Sequence, residues 1–254
     1  MIQLAYDQTG KGLPMVLLHG YCCDRSIWSK MIEPLSHRNQ VLNFDLPGHG
    51  ESPILEDLSL GNIADVLCQN LESIGIHKYI LVGHSMGGYI AMEMLARQAE
   101  RISGLTLFHS HPFEDGEAKK AARIKSVGFL KKHGKSAFLR QLFLNLYYDI
   151  DANRNLLLKS KRKAHDIEES ILIGCMEAMR NRPSHEDTLK SFEKPIEFLM
   201  GKDDQLIPVD LGIKASKMGQ NTVIHVVQNM GHMGMHEDPK QCAEILRNFS
   251  LSLG

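Results

Sequence analysis

No apolar stretch in this 254-residue chain approaches the roughly 18 residues that would mark a membrane span. The opening segment MIQLAYDQTGKG has no apolar core of the kind that directs secretion. The five cysteines, Cys22, Cys23, Cys68, Cys175 and Cys242, are odd in number and scattered, with no Cys-x-x-Cys pair. That pattern argues against both a disulfide framework and a zinc site. Charge of one sign is also missing: 29 Lys+Arg against 30 Asp+Glu give a formal −1. No global field therefore recruits nucleic acid or an anionic membrane. Internal repeats and low-complexity tracts are absent. The expectation is a reduced, soluble, cytoplasmic protein whose partner is a small molecule. Nothing in the sequence sets its oligomeric state.

What is present is an alternation. Short apolar runs at Met15–His19, Val41–Asp45, Tyr79–Gly83, Ile102–His109, Ile196–Met200 and Thr222–Val227 read as strands, several of them apolar nearly throughout. Between them lie helical stripes: Ile27, Trp28, Met31, Ile32 and Leu35 in one, Ile63, Val66, Leu67, Leu71 and Ile74 in another. Gln241–Leu251 closes the chain as a third. The pattern predicts an α/β fold, a mostly parallel central sheet with helices on both faces. The alternation stops between about His111 and Glu193. From Pro112 to Lys190 there are 16 Lys+Arg and 11 Asp+Glu, a balance of +5, whereas the remainder carries −6. This predicts a core of residues 1–111 and 194–254 with a helical insertion at 112–193. The +5 reads either as a solvated helical surface or as a basic mouth for an acidic substrate.

One serine stands out. In YILVGHSMGGYIAMEML, Ser85 sits between a buried strand and a helix, with Gly83 and Gly87 at Gly-x-Ser-x-Gly spacing. Such a turn lifts a hydroxyl out at the carboxyl edge of a sheet, at the cost of strained backbone that tolerates only very small neighbours. The helix that follows aims its N-terminal amides at any oxyanion formed there. Serine needs a base to take its proton as it attacks.

At this point the chain resembles the α/β-hydrolase superfamily over nearly its whole length. LLHG (Leu17–Gly20) is similar to that family's oxyanion loop, DLPGHGES (Asp45–Ser52) to its loop after the next strand, and GHSMGG (Gly83–Gly88) to its nucleophile elbow. GKDDQLIP (Gly201–Pro208) resembles its acid loop and GHMGMHEDP (Gly231–Pro239) its histidine loop, in the family's order of nucleophile, acid and histidine. The resemblance implies Ser85 as nucleophile and His232 as base. Its Gly-x-x-Asp spacing from Gly201 selects Asp204 over Asp203 as the acid that orients the histidine. It implies the backbone amides of Tyr21 and Met86 as the oxyanion hole. The insertion takes the position of the family's cap, and no cofactor is implied.

The remaining histidines have plainer readings. His19 and His84 sit beside the two oxyanion donors and are expected to bond loop backbone, and His49 belongs to PGHG, a turn in which the glycines set the path. His109 and His111 form His-x-His, and His232 with His236 has i, i+4 spacing. Both are spacings that metal ligands use, but His232 is already better accounted for, so no metal is expected. His111, at a strand end on the site's edge, is a candidate for lining the pocket, as is Met233. Met86, Met230, Met233 and Met235 on the motif loops, with Met176 and Met179 in the insertion, read as core filling or as an adaptable apolar pocket. Cys22 and Cys23 read as small buried hydrophobes.

The expected reaction is hydrolysis of small-to-medium carboxylic esters, or a related lactone or thioester, through an acyl-enzyme on Ser85. Two alternatives share the sequence: carbon–carbon bond hydrolysis by the same triad, and a hydrolase fold used to bind a ligand with little turnover. A serine where some relatives carry aspartate argues against haloalkane and epoxide chemistry.

Overall fold

The computed structural model describes residues 2–253. The first half runs β1 (Tyr6–Thr9), β2 (Leu13–Leu18), a 3-10 turn (Arg25–Trp28), α1 (Ser29–Ser36), β3 (Asn39–Phe44), α2 (Leu60–Ser73), β4 (Tyr79–His84), α3 (Met86–Gln98) and β5 (Ile102–Phe108). Four helices follow: α4 (Glu117–Leu144), α5 (Arg154–Asp166), α6 (Glu169–Asn181) and α7 (Glu186–Ser191). The chain then returns as β6 (Ile196–Gly201), α8 (Val209–Ser216), β7 (Thr222–Val227), α9 (Gly234–Glu237) and α10 (Pro239–Ser252).

The strands form one sheet in the order β1-β3-β2-β4-β5-β6-β7, in which only the β1–β3 pair is antiparallel. Every residue of β4 and of β6 is buried, which is why these runs carry no polar alternation. β1 escapes the sequence pattern for a physical reason. Its segment YDQT is an edge strand with three of its four residues exposed, held by backbone pairing to β3 and by one side-chain contact, Tyr6 stacked on Phe44, too little to make an apolar pattern. The helix ends follow local chemistry: Ser59 caps α2 by accepting from Asn62 N, and Asp238 caps α10 by accepting from Gln241 N, with Pro239 in the first turn. Helix α4 is broken at Gly134, whose φ of 79° lies outside the helical region. No helix among the described residues is long and apolar enough to cross a membrane.

The chain steps from β2 outward to β3 and then back across β2 to β4, so β2 has one neighbour on each side. The crevice at the carboxyl ends of strands around such a reversal is where open α/β sheets bind ligands. Both glycine-flanked loops singled out in the sequence emerge there, from β2 and β4.

Candidate active site

The turn after β4 is as sharp as the sequence suggests. Ser85 has φ 53° and ψ −116°, a conformation that costs a non-glycine residue on the order of 1–3 kcal/mol. The neighbouring glycines are required by contact. A Cβ on Gly83 would lie 2.4 Å from Gly87 O, and one on Gly87 would lie 2.5 Å from Leu18 O. The turn is braced by Ser85 N–H to Phe108 O (3.0 Å) and by Ser110 Oγ donating to Ser85 O (2.9 Å). Ser85 is only partly buried, and it opens onto a cavity of about 400 Å³ that His232 also lines.

His232 Nδ1 donates to Asp204 Oδ2 at 2.7 Å, which leaves the other ring nitrogen unprotonated on the neutral imidazole. Asp204 Oδ1 accepts the amides of Leu206 (2.8 Å) and Ile207 (3.0 Å). Burial on its own would raise this carboxyl, but the facing His232 and a contact from His109 hold it well below the usual carboxylate range. His84 donates from Nε2 to the His232 carbonyl at 2.9 Å, fixing the histidine loop from the end of β4. Tyr21, on the loop after β2, and Met86, the first residue of α3, have backbone amides that no hydrogen bond occupies among the described residues. The arrangement can hold a carbonyl at Ser85, accept a proton and shelter an oxyanion. Acyl transfer requires those three things.

The other histidines divide as their surroundings dictate. His19 donates from Nδ1 to Gly20 O and accepts Leu46 N–H, and burial pushes it down to about 4. His49 bonds Pro47 O, and burial with the neighbouring His19 pushes it to about 3. His111 is not on the cavity wall. Its ring accepts Phe113 N–H at 3.2 Å, stacks on Phe113, and lies 3.4 Å from Tyr89 Oη, so it reaches the cavity only through Tyr89. A strand-end position faces the site, but the chain turns at Pro112 and folds that ring behind its neighbour. Neither histidine spacing gathers a cluster: His236 bonds Tyr147 Oη instead. His109, Asp204 and His232 do bring potential metal-ligand atoms within 4.8 Å of one another. The 2.7 Å between His232 Nδ1 and Asp204 Oδ2 is a hydrogen-bond distance, shorter than the roughly 3.3 Å separating two ligands on a tetrahedral zinc.

The methionines split. Met233, Met176 and Met179 line the cavity, whereas Met86, Met230 and Met235 fill the core. Cys22 and Cys23 are buried, and burial pushes the Cys23 thiol up to about 12, far from a thiolate nucleophile. The sequence reading missed the helical wall. Lys119, Ala122, Arg123, Ser126 and Phe129 all line the cavity from α4. Their three- and four-residue spacing is that of one helix face, a signal present in the sequence but masked by the surrounding lysines. Arg123 pairs with Asp115, which also takes Arg182 Nη1 at 2.8 Å, so two guanidinium groups share one carboxylate. Helices α6 and α5 are tied to the loop after β2 by Tyr21 Oη donating to Leu172 O (2.9 Å) and by the Lys163–Asp24 pair (2.8 Å).

Comparison with known proteins bears on the family and the fold. Residues 15–245 match the model of the alpha/beta hydrolase family. The chain is 28% identical to a pimeloyl-[acyl-carrier protein] methyl ester esterase of Methylococcus capsulatus, over 98% of this chain and 99% of that one. It is 27% identical to a 2-succinyl-6-hydroxy-2,4-cyclohexadiene-1-carboxylate synthase of Citrobacter koseri, over 92% and 93%. Among solved structures, a thermophilic esterase from Thermogutta terrifontis, with malate bound, superposes with a TM-score of 0.93 at 25% identity, covering 99% of this chain and 94% of that one.

Proposed function

The chain belongs to the alpha/beta hydrolase family, and from that premise we propose that it hydrolyses carboxylic esters through an acyl-enzyme on Ser85. Ser85 Oγ attacks the ester carbonyl while His232 takes its proton. The oxyanion accepts hydrogen bonds from the amides of Tyr21 and Met86. His232 then protonates the leaving alkoxide, and the C–O bond of the ester breaks. A water molecule deprotonated by His232 attacks the acyl-enzyme, and the acid leaves as Ser85 recovers its proton. Asp204 orients His232 and stabilises the imidazolium formed in each half-reaction. One observation carries this reading: His232, held at 2.7 Å by Asp204, lines the same cavity as the strained Ser85.

The cavity also supports a narrower substrate class. Its lining includes Lys119, Arg123 and Lys125 but no aspartate or glutamate, against apolar walls of Phe129, Phe138 and Leu142. Such a site favours an ester whose acyl or alcohol portion carries a carboxylate on a short apolar stem. The malate in the Thermogutta structure and the carboxylate in the name of the Citrobacter relative are in keeping with it. The segment 112–193 acts in this reading as the cap, with α4 to α6 as its roof.

The test is hydrolysis of p-nitrophenyl esters from acetate to dodecanoate, with monoesters of dicarboxylic acids beside them, by wild type and Ser85→Ala. Turnover that peaks at one chain length and vanishes in the variant is expected. Wild-type turnover in Ser85→Ala would sink the mechanism. Absence of ester turnover by the wild type would shift the reading to carbon–carbon hydrolysis or ligand binding.

A further inference from the structure

His232 is tethered by three separate segments. Its ring donates to Asp204, and its carbonyl accepts from His84 at the end of β4. Its amide donates to Leu146 O at 2.8 Å, and Leu146 lies in the segment that leaves α4. That segment runs tight against the histidine loop. A Cβ on Gly231 would lie 2.6 Å from Tyr148 N, 2.9 Å from Tyr147 C and 3.0 Å from Leu146 O. The residue before the base is therefore glycine because the backbone of segment 146–148 occupies the place of a side chain. The same segment belongs to the cavity wall: Gln141, Leu142, Asn145 and Leu146 all line the cavity with His232.

Glu237, at the end of α9, closes this contact with its side chain. Its Oε1 accepts the Tyr148 amide at 2.7 Å, and its Oε2 accepts the Gly231 amide at 2.9 Å. One carboxylate thus takes an N–H from each of the two segments, and neither amide has another partner among the described residues. Bonds from neutral N–H groups to an anionic acceptor are stronger than those to a neutral one. The Glu237 amide donates to Met233 O at 3.0 Å, which roots the carboxylate in the turn that follows the base. Tyr147 Oη and His236 Nδ1, 2.9 Å apart, add a further tie to α9. Glu237 itself does not line the cavity, so any effect it has on turnover passes through the loop.

We propose that Glu237 is a positioning residue: it clamps the histidine loop to segment 146–148 and so sets where His232 stands relative to Ser85. The proposal rests on the assignment of His232 as the base made above. The Gly231 amide that Glu237 holds is one residue before the base, so a shift of that amide is passed directly to the imidazole. Without the carboxylate the buried Gly231 N–H loses its acceptor, and the loop must move to find another. A displacement of about 1 Å at a reacting group costs on the order of a hundredfold in rate. Glutamine at this position has the right shape and the wrong chemistry. It accepts at one end only and sets N–H against N–H at the other.

The experiment measures kcat and KM over the p-nitrophenyl ester series for Glu237→Gln, Glu237→Leu and Tyr147→Phe, with low-field proton NMR of the same proteins. Glu237→Gln should lower kcat about tenfold and Glu237→Leu about a hundredfold, on every ester, with KM within about twofold of wild type. Tyr147→Phe removes a tie to α9 that does not reach the peptide beside the base. It should keep kcat within about twofold even where it lowers Tm, which separates positioning from loss of stability. The His232 Nδ1–H signal, at low field because Asp204 accepts it, should shift or broaden in Glu237→Gln and stay in place in Tyr147→Phe. That readout needs neither turnover nor the leucine variant to fold. A rise in KM confined to long esters with kcat kept would overturn the proposal, since Glu237 would then shape the cavity and not the base. An unmoved signal in Glu237→Gln would overturn it as well. Failure of the hydrolase reading looks different: wild type would turn over no ester, while the signal still answered to Glu237→Gln.

Discussion

Replacing Glu197 by glutamine should make the protein more resistant to alkaline unfolding. Glu197 lies within the fully buried β6, with no measurable exposure. Neither of its oxygens has a partner among the described residues, and the hydroxyl of Thr106, its register partner on β5, is buried and unpaired as well. Burial alone pushes this carboxyl from 4.5 up to about 8. A raised folded value means that the stability contributed by the protonated group is complete below about 4.5 and is lost as pH climbs through about 8. At about 1.36 kcal/mol per unit, the full loss approaches 5 kcal/mol, and roughly 3.5 kcal/mol of it falls between pH 5 and pH 8. Glutamine keeps the shape and does not ionise, so its own unpaired amide adds an offset that does not vary with pH. Urea unfolding of both proteins at several pH values measures the difference directly. The gap in unfolding free energy should widen in favour of Glu197→Gln by about 3.5 kcal/mol over that interval. A gap constant with pH would mean that Glu197 ionises alike in the folded and unfolded chain, and the argument from its isolation would be wrong.

Other substitutions probe the site and its frame. Gly87→Ala would drive a Cβ to 2.5 Å from Leu18 O, which is backbone, so unfolding should become easier by about 1–3 kcal/mol and turnover should fall by at least about tenfold. Gly128→Ala in α4 meets nothing within 4 Å and should stabilise by about 0.5–1 kcal/mol, which makes it the control in the same melts. Arg123→Met should raise KM about tenfold for a dicarboxylate monoester and leave a neutral ester of equal length nearly unchanged, since Asp115 keeps Arg182 as a partner; equal effects on both esters would exclude a carboxylate contact. Tyr21→Phe removes the bond to Leu172 O and should speed amide hydrogen exchange in α6 while costing about 1 kcal/mol of stability; unchanged exchange would mean that the Lys163–Asp24 pair holds the roof unaided.

How far the chain could be read depends on how local each feature is. The turn at Ser85 was legible because its cause is local: a hydroxyl, a reversed backbone and neighbours with no Cβ all fall within six residues. The parallel strands were legible because burial on both faces leaves an unbroken apolar run. β1 was not, because an exposed edge strand is held mostly by backbone pairing, with Tyr6 on Phe44 as its one apolar contact, and backbone has no sequence signature. His111 shows the limit from the other side. Its strand-end position was right for the site, but whether a ring fronts the cavity or hides behind Tyr89 depends on where residue 89 lies, one helix away.

His109 carries that limit further. In the sequence it is one half of His-x-His, a spacing that suggests a ligand pair, yet the two rings part company. His111 turns towards Tyr89 and Phe113, whereas His109 turns towards Asp204, which is 95 positions later in the chain. The cause is the positive φ at His109, a backbone state that adjacent residues do not announce and that only the meeting of β5 with the end of β6 imposes. Gly201 and Gly234 could have been read as ordinary loop glycines. Gly234 instead clears space for one edge of that imidazole, and Gly201 for the carbonyls of Gly231 and Met230 as well as for the other edge, so the room for the ring is distributed over three separate segments. Filling either space should therefore disturb the acid and the base together. Gly234→Ala should lower kcat/KM by at least about tenfold through a displaced acid and base, and an unchanged kcat/KM with intact folding would mean that the ring can shift without consequence for Asp204.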